Sequence, residues 1–149
     1  MIKKTIKYID YDGNEREEDF FFDLNKAECA EKDMRSPGGY RAYCERIISS
    51  HDGNEIMTLI KDFIFSSYGE KSPDGKYLMK SPEISRRFEC TNAYSEFFMS
   101  LVTNAKAAAE FISGVLPLTK EQEEQYNKEM NEKIEELEKA NTENTESAE

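Results

Sequence analysis

Apolar and polar residues alternate near the start of the chain, where lysine is interleaved with β-branched and aromatic side chains over residues 3–9. Residues 10–14 (DYDGN) supply a glycine and acidic turn formers, and residues 16–22 (REEDFFF) end in an aromatic run. Two short strands around such a turn predict a β-hairpin. Phe20 and Phe22 would then point to one face and Phe21 to the other, so at least one face must be covered.

The spacing of apolar residues becomes helical after residue 25. Asn25 and Glu28 have the spacing of a capping box, which predicts a short helix to about Met34. Three further segments carry apolar residues at i, i+3, i+4, i+7 and i+8, the stripe of an amphipathic helix. These stripes are Tyr40, Tyr43, Cys44, Ile47 and Ile48; Ile56, Leu59, Ile60, Phe63 and Ile64; and Tyr94, Phe97, Phe98, Leu101 and Val102.

Helix starts and stops are marked by capping residues and by glycine. We expect the helix starts at Asp52 (with Glu55 as a second capping box), Ser81 followed by Pro82, Thr91 and Thr103. Gly69 is expected to end one helix, while Gly114 and Pro117 are expected to close the last one. Residues 76–80 follow a turn (SPDG) and are expected to be extended. Residues 1–117 are thus predicted to form one mainly α (α+β) domain, with an N-terminal β-hairpin followed by a compact bundle of five or six short helices.

Residues 118–149 differ from the rest of the chain in composition, because they are rich in glutamate. They contain eleven glutamates and four lysines, so they hold −7 of the chain's formal net charge of −11. Tyr126, Met130, Ile134 and Leu137 form one thin apolar line, too sparse for a core of its own. The segment is predicted to be an acidic helical or disordered tail, with its last ten residues disordered. It is either a solubilising extension or a helix that docks on a partner. In the second case, its negative charge would steer the tail toward a basic partner.

Composition also limits the chemistry. The acidic balance disfavours binding to nucleic acids or anionic membranes. Cys29, Cys44 and Cys90 are too few and too widely spaced for a disulfide framework or a CxxC metal site, which indicates reduced thiols in a cytoplasmic protein. The single histidine, His51, precedes a helix cap as a surface residue would. We therefore expect a binding protein with no enzymatic activity, cofactor or metal.

Five segments of the chain resemble one known family. Residues 7–15 (KYIDYDGNE) and 18–28 (EDFFFDLNKAE) resemble the opening of tail assembly chaperones from siphophages and prophages of Gram-positive bacteria. Residues 67–75 (SYGEKSPDG) are similar to that family's central turn. Residues 91–98 (TNAYSEFF) and 107–117 (AAAEFISGVLP) are similar to its closing helices. The resemblance covers most of residues 3–117 and leaves the acidic tail outside.

The resemblance implies a role in building the tail of a long-tailed phage. Such chaperones are thought to bind the tape measure protein, keep its long hydrophobic helix soluble and recruit tail tube subunits. The resemblance places this chain in the cytoplasm of the bacterial host and outside the mature virion, as the short form where a longer frameshifted form exists. Self-association is open.

Exposed apolar side chains would supply the contacts of such a chaperone. The candidates are Phe21, Tyr40 and Tyr43 in the domain and Tyr126, Met130, Ile134 and Leu137 in the tail, although core packing is the usual fate of the aromatic residues. Two alternatives are a small acidic inhibitor that masks a basic enzyme and a structural tail protein that remains in the virion.

Overall fold

The computed structural model describes residues 1–116 and 120–146. The chain divides into two compact units, Met1–Pro117 and Leu118–Glu149. The first unit begins with strands β1 (Ile2–Ile9) and β2 (Glu15–Phe22), which pair antiparallel from Ile2 opposite Phe22 to Ile9 opposite Glu15. Gly13 adopts a φ of 85° in the connecting turn, which a residue without a side chain tolerates. The predicted hairpin is therefore confirmed.

Six helices follow in the first unit. They are α1 (Lys26–Arg35), α2 (Tyr40–Ser49), α3 (Gly53–Ser67), α4 (Pro82–Glu89), α5 (Asn92–Val102) and α6 (Ala105–Val115). The caps predicted at Asn25, Asp52, Ser81 and Thr91 are all formed, and Asn25 and Glu28 complete a reciprocal capping box. The second box, predicted for Asp52 and Glu55, is only half formed, because the Asp52 N–H donates to the Ser50 hydroxyl and not to Glu55. Within the described residues, the first unit thus combines the predicted hairpin with six helices.

Two of the predicted helix boundaries at the end of the unit are wrong. Asn104 caps α6 by accepting a hydrogen bond from the Ala107 N–H, whereas Thr103 lies at the end of α5 and donates its hydroxyl to the Met99 carbonyl. Gly114 lies inside α6, which ends at Val115, and Pro117, the other residue expected to close it, lies outside the described residues. Asn is at least as good an N-cap as Thr, so the sequence alone does not decide between these two adjacent residues. The point at which α5 ends decides which of them caps α6.

Two short strands complete the sheet after α3. They are β3 (Tyr68–Lys71) and β4 (Leu78–Met79), and the strand order is β1-β2-β3-β4. Gly69 was expected to end a helix, but it lies in β3 opposite Phe21 of β2. A β-carbon on Gly69 would be 2.6 Å from the Leu78 Cγ, so a glycine here permits the close approach of β4.

Phe22 lies at the centre of the core. Its ring, fully buried, is 5.1 Å from the ring of Phe97 in α5 and 5.2 Å from that of Phe111 in α6, measured between centroids. The rings of Tyr68 and Phe88 pack against it from β3 and α4. The helices therefore cover the Phe22 face of the hairpin, as the pattern of the sequence required.

The second unit contains one long helix, α7 (Lys120–Glu146). Residues 140–146, for which the sequence predicted disorder, continue this helix, and residues 147–149 lie outside the described part. Once a helix is nucleated, each further residue adds a hydrogen bond at little cost, so a polar end can extend it.

Candidate functional site

Tyr40 and Tyr43 lie together on α2 but differ in accessibility. Tyr40 is only 7% exposed, and its ring stacks on that of Phe63 in α3. Tyr43 is 39% exposed, with its ring centroid 6.0 Å from that of Tyr40. The structure thus places Tyr40 in the core and leaves Tyr43 as the side chain that another protein can reach.

Phe21 lies on the face of the sheet opposite to Phe22. It is half-buried, and the Lys71 Nζ lies 4.9 Å from its ring centroid, a cation–π distance. A basic side chain therefore already covers part of the ring, which leaves its remaining surface for contact with a partner.

The apolar line of the tail lies along α7. Ile134 and Leu137 are half-buried within the second unit, and their three-residue spacing places them on one helix face. The side chains of Tyr126 and Met130 lie outside the described part of the structure.

Sequence reasoning missed a half-exposed aromatic surface formed by α3 and α5. The Phe65 ring of α3 stacks on Tyr94 of α5 at 5.5 Å, and Tyr94 stacks in turn on Phe98 at 5.7 Å. We call Phe65, Tyr94 and Phe98 the aromatic strip. Burial, and secondarily the charge of Glu89, raises the pKa of Tyr94.

The apolar stripe predicted for α5 is wider than one buried face. Ala93, Phe97 and Leu101 are buried there, whereas Tyr94, Phe98 and Val102, at successive i+4 positions, are only half-buried. With Met99, the helix has seven apolar residues among eleven, which cover more than the side that faces the core, so some must remain accessible. The width of the stripe was the feature of the sequence that could have revealed the aromatic strip.

Polar and apolar side chains extend the strip along α3. The Lys61 Nζ lies 5.7 Å from the Phe65 ring centroid and 3.5 Å from a Glu89 carboxylate oxygen. Met57 lies one turn before Lys61 on the same side of the helix and is 45% exposed. The strip is thus continued by one flexible apolar side chain and bordered by an ion pair.

Methionine is used at the surface throughout the described part of the chain. Each methionine whose side chain is described is exposed, from 45% for Met57 to 89% for Met34; the others are Met1, Met79 and Met99. Methionine normally fills gaps in cores, and its flexible, polarisable side chain suits surfaces that adapt to different apolar partners. This distribution favours contacts with partner proteins.

The thiols have the properties of structural cysteines. Burial raises the pKa of Cys44 to about 11, and burial followed by the charge of Asp33 raises that of Cys29. A raised pKa disfavours the reactive thiolate. Among the described residues, no group of three or more His, Cys, Asp or Glu side chains is arranged to hold a metal ion, and no helix is long and apolar enough to cross a membrane.

A family model described as Phage tail assembly chaperone matches residues 1–149. The chain belongs to the phage tail assembly chaperone family. The resemblance found in the sequence is confirmed, and the match also includes the acidic segment after residue 117, which that resemblance had left outside. No match was found among curated proteins or among solved structures. For a chaperone, the half-exposed aromatic strip and the exposed methionines are the relevant surfaces, because its partners are other proteins.

Proposed function

We propose that this chaperone binds the tape measure protein of a siphophage or prophage, keeps it soluble and helps to recruit tail tube subunits. It would do so in the cytoplasm of the bacterial host and leave before the virion is complete. The family match over the whole chain supports the role in tail assembly. The exposed apolar side chains support binding to a partner that is itself apolar, as a long tape measure helix is.

The observation that carries this proposal is the aromatic strip. Phe65, Tyr94 and Phe98 form a continuous row of rings across two helices, and each is half-exposed. An amphipathic helix binds such a row by laying apolar side chains at i, i+3 or i+4 and i+7 along it. Lys61 and Glu89, an ion pair at the border of the strip, can interact with acidic and basic side chains next to the apolar face of that helix.

The acidic segment is proposed as a second contact region. We assign residues 1–117 to the folded chaperone domain and residues 118–149 to an amphipathic helix and tail. Ile134 and Leu137, with Tyr126 and Met130 of the same apolar line, would pack on a partner helix. A single thin line of this kind needs another surface to bury its apolar face.

Co-expression with the tape measure protein tests both contact regions. We expect soluble tape measure protein that co-purifies with several copies of the chaperone. Phe98→Ser should reduce the co-purified amount about tenfold, since one buried aromatic contact of about 1.4 kcal/mol is worth that factor. Removal of residues 118–149 should lower the co-purified amount in the same assay if the second region contacts the tape measure protein.

Tyr11→Ser is the matched control for Phe98→Ser. Tyr11 is an aromatic residue in the turn between β1 and β2, it is 81% exposed, and its replacement should leave co-purification unchanged. Near-UV circular dichroism of each variant separates loss of binding from loss of folding. If folded wild-type chaperone leaves the tape measure protein insoluble and unbound, the proposal is wrong.

The protein composition of the mature virion distinguishes the proposed chaperone from a structural tail protein. Mass spectrometry of purified particles should detect tape measure and tube peptides but none from this chain. Stoichiometric recovery of this chain from mature particles would instead support the structural alternative.

A further inference from the structure

The outer edge of β1 is free of any other strand in the described part of the structure. β1 is the first strand in the sheet order and pairs with β2 alone. Residue pairs in an antiparallel ladder alternate between those that exchange backbone hydrogen bonds and those that exchange none. The Asp10 N–H donates to the Asn14 carbonyl at 2.9 Å, so the even-numbered residues of β1 bond to β2. Its odd-numbered residues direct their N–H and C=O groups outward.

A contact at the end of β1 supports this assignment. The Asn92 Nδ2 donates to the Ile9 carbonyl at 2.8 Å, which requires that an odd-numbered carbonyl points away from β2. The same bond covers one end of the edge. The backbone groups of Lys3, Thr5 and Lys7, all three exposed residues, remain as the accessible stretch.

A groove runs beside this stretch, between β1 and the helices α5 and α6. It has a volume of about 300 Å³ and apolar lining from Ile6, Phe97, Leu101 and Ala107. Lys4, Glu96 and Glu110 also line it, so its charged groups are of both signs. A strand added to β1 would direct every second side chain into this groove, where small apolar groups fit its apolar lining.

The other face of an added strand would meet lysines. Lys3 and Lys7 project from the outer face of β1, and behind them on β2 stand Asp19, 4.0 Å from the Lys3 Nζ, and Glu17, opposite Lys7. Opposite charges across a strand pair stabilise it and like charges destabilise it. A second copy of β1, paired symmetrically about Thr5, would place Lys3 directly opposite Lys7.

We propose that the free edge of β1 binds an extended segment of a partner protein by strand addition. The segment alternates acidic residues, which face Lys3 and Lys7, with small apolar residues, which enter the groove. Main-chain hydrogen bonds to residues 3, 5 and 7 supply affinity, and the alternation supplies specificity. This surface is separate from the aromatic strip, and the inference does not depend on the identity of the tape measure protein as partner.

A blocked heptapeptide, Thr-Glu-Val-Thr-Val-Glu-Thr, is the probe, titrated to about 5 mM into the full ¹⁵N-labelled chain to cover millimolar affinities. We expect saturable shifts of the amides of Lys3, Thr5 and Lys7 and slower hydrogen exchange at these three. The amides of Lys4 and Ile6 already bond to β2 and should change little. A peptide with lysine in place of glutamate should bind at least tenfold more weakly.

Two substitutions at one position isolate the main-chain contact. Thr5→Pro removes an outward N–H without removing a bond to β2, and proline is tolerated on a strand edge of this kind. Thr5→Val keeps the N–H, and both lose the hydroxyl bond to Asp19. Binding should fall at least tenfold for Thr5→Pro and persist for Thr5→Val.

Charge reversal provides a second variant should Thr5→Pro fail to fold. The double variant Lys3→Glu, Lys7→Glu should lose the acidic peptide and bind the lysine peptide. Absence of saturable shifts in the wild type, or equal binding of both peptides, would overturn the proposal. The lysines would then serve only to protect the edge from aggregation.

Discussion

Gly114 of α6 lies against Ile2 of β1 so closely that a β-carbon on Gly114 would overlap the Ile2 Cδ1. Gly114 is itself exposed, so Ile2 covers only one side of it. This contact joins the first strand of the folded unit to its last helix.

Gly114→Ala should gain less stability than the better helix propensity of alanine alone would give. The Ile2 Cδ1 is the end of a flexible side chain and can move aside, so the overlap should offset only part of the propensity gain of about 1 kcal/mol. We expect a rise in the free energy of unfolding in urea that stays below this gain. Adding Ile2→Val, which removes the overlapping Cδ1, should recover part of the difference.

Gly53→Ala is the matched control. Gly53 lies in the first turn of α3, and a β-carbon there meets nothing within 4 Å. The free energy of unfolding should rise slightly in this variant. An equal rise in both variants would mean that the contact with Ile2 has no effect on stability.

Asn104→Ala should cost about 1 kcal/mol of stability, the usual effect of losing a side-chain N-cap. The Asn104 side chain accepts from the Ala107 N–H at 3.1 Å, and that donor would lose its partner. Thr103→Ala removes only a hydroxyl bond to the Met99 carbonyl and should cost less. Thermal unfolding of the two variants compares the observed cap with the one that the sequence suggested.

Lys80→Met should destabilise the unit by about 1–3 kcal/mol, because it leaves partly buried acceptors without their donor. The Lys80 Nζ bonds both Glu28 carboxylate oxygens at 2.9 Å and also the Asp23 carbonyl, and its side chain is only 20% exposed. Lys3→Met removes a 4.0 Å contact from a side chain that is 58% exposed and should cost below about 0.5 kcal/mol. A similar loss in both variants in urea unfolding would argue against a special role for Lys80.

Alkaline pH should destabilise the folded unit through Cys44. Burial raises the pKa of its thiol from an ordinary value of 9.0 to about 11, so the folded state favours the protonated form. The contribution of this thiol to the free energy of unfolding is complete below pH 9. It is lost as the pH rises toward 11, because in this range the thiol ionises readily only in the unfolded chain. The free energy of unfolding should fall by about 2 kcal/mol more in the wild type than in Cys44→Val across this range.

A pH profile of urea unfolding for both proteins makes the comparison. Burial also raises the pKa of Tyr40, so some alkaline loss should remain in Cys44→Val. Parallel profiles in the two proteins would show that Cys44 does not contribute.

Local rules of sequence predicted most of the elements in this fold. Asn25 with Glu28, and Ser81 with Pro82, define helix starts because the bonds involved span only three or four residues. The hairpin was predictable for the same reason. Gly69 was predicted wrongly because the contacts that decide its place are distant in sequence: it resembles a helix end until β2 and β4 pair with its neighbourhood.

The candidate contact surface was less predictable than the fold. Periodicity shows that α5 is apolar on more than one side, but it does not show which side remains accessible after the other elements have packed. Tyr94 and Phe98 were therefore placed on the apolar stripe of α5 without being named as contacts, and Tyr40 was named as a contact although Phe63 and its neighbours bury it. Which aromatic side chains reach solvent is decided by tertiary packing.

The dependence of the hairpin on α5 and α6 sets an order of events during protein synthesis. Phe22 leaves the ribosome roughly 90 residues before Val115, and at about 5–20 residues per second this interval lasts about 5–20 s. For most of it, neither α5 nor α6 is complete, so the face of the hairpin that carries Phe22 lacks its covering helices from the end of the unit. A nascent chain of this protein therefore exposes a strand pair with an uncovered aromatic face until translation has passed α6.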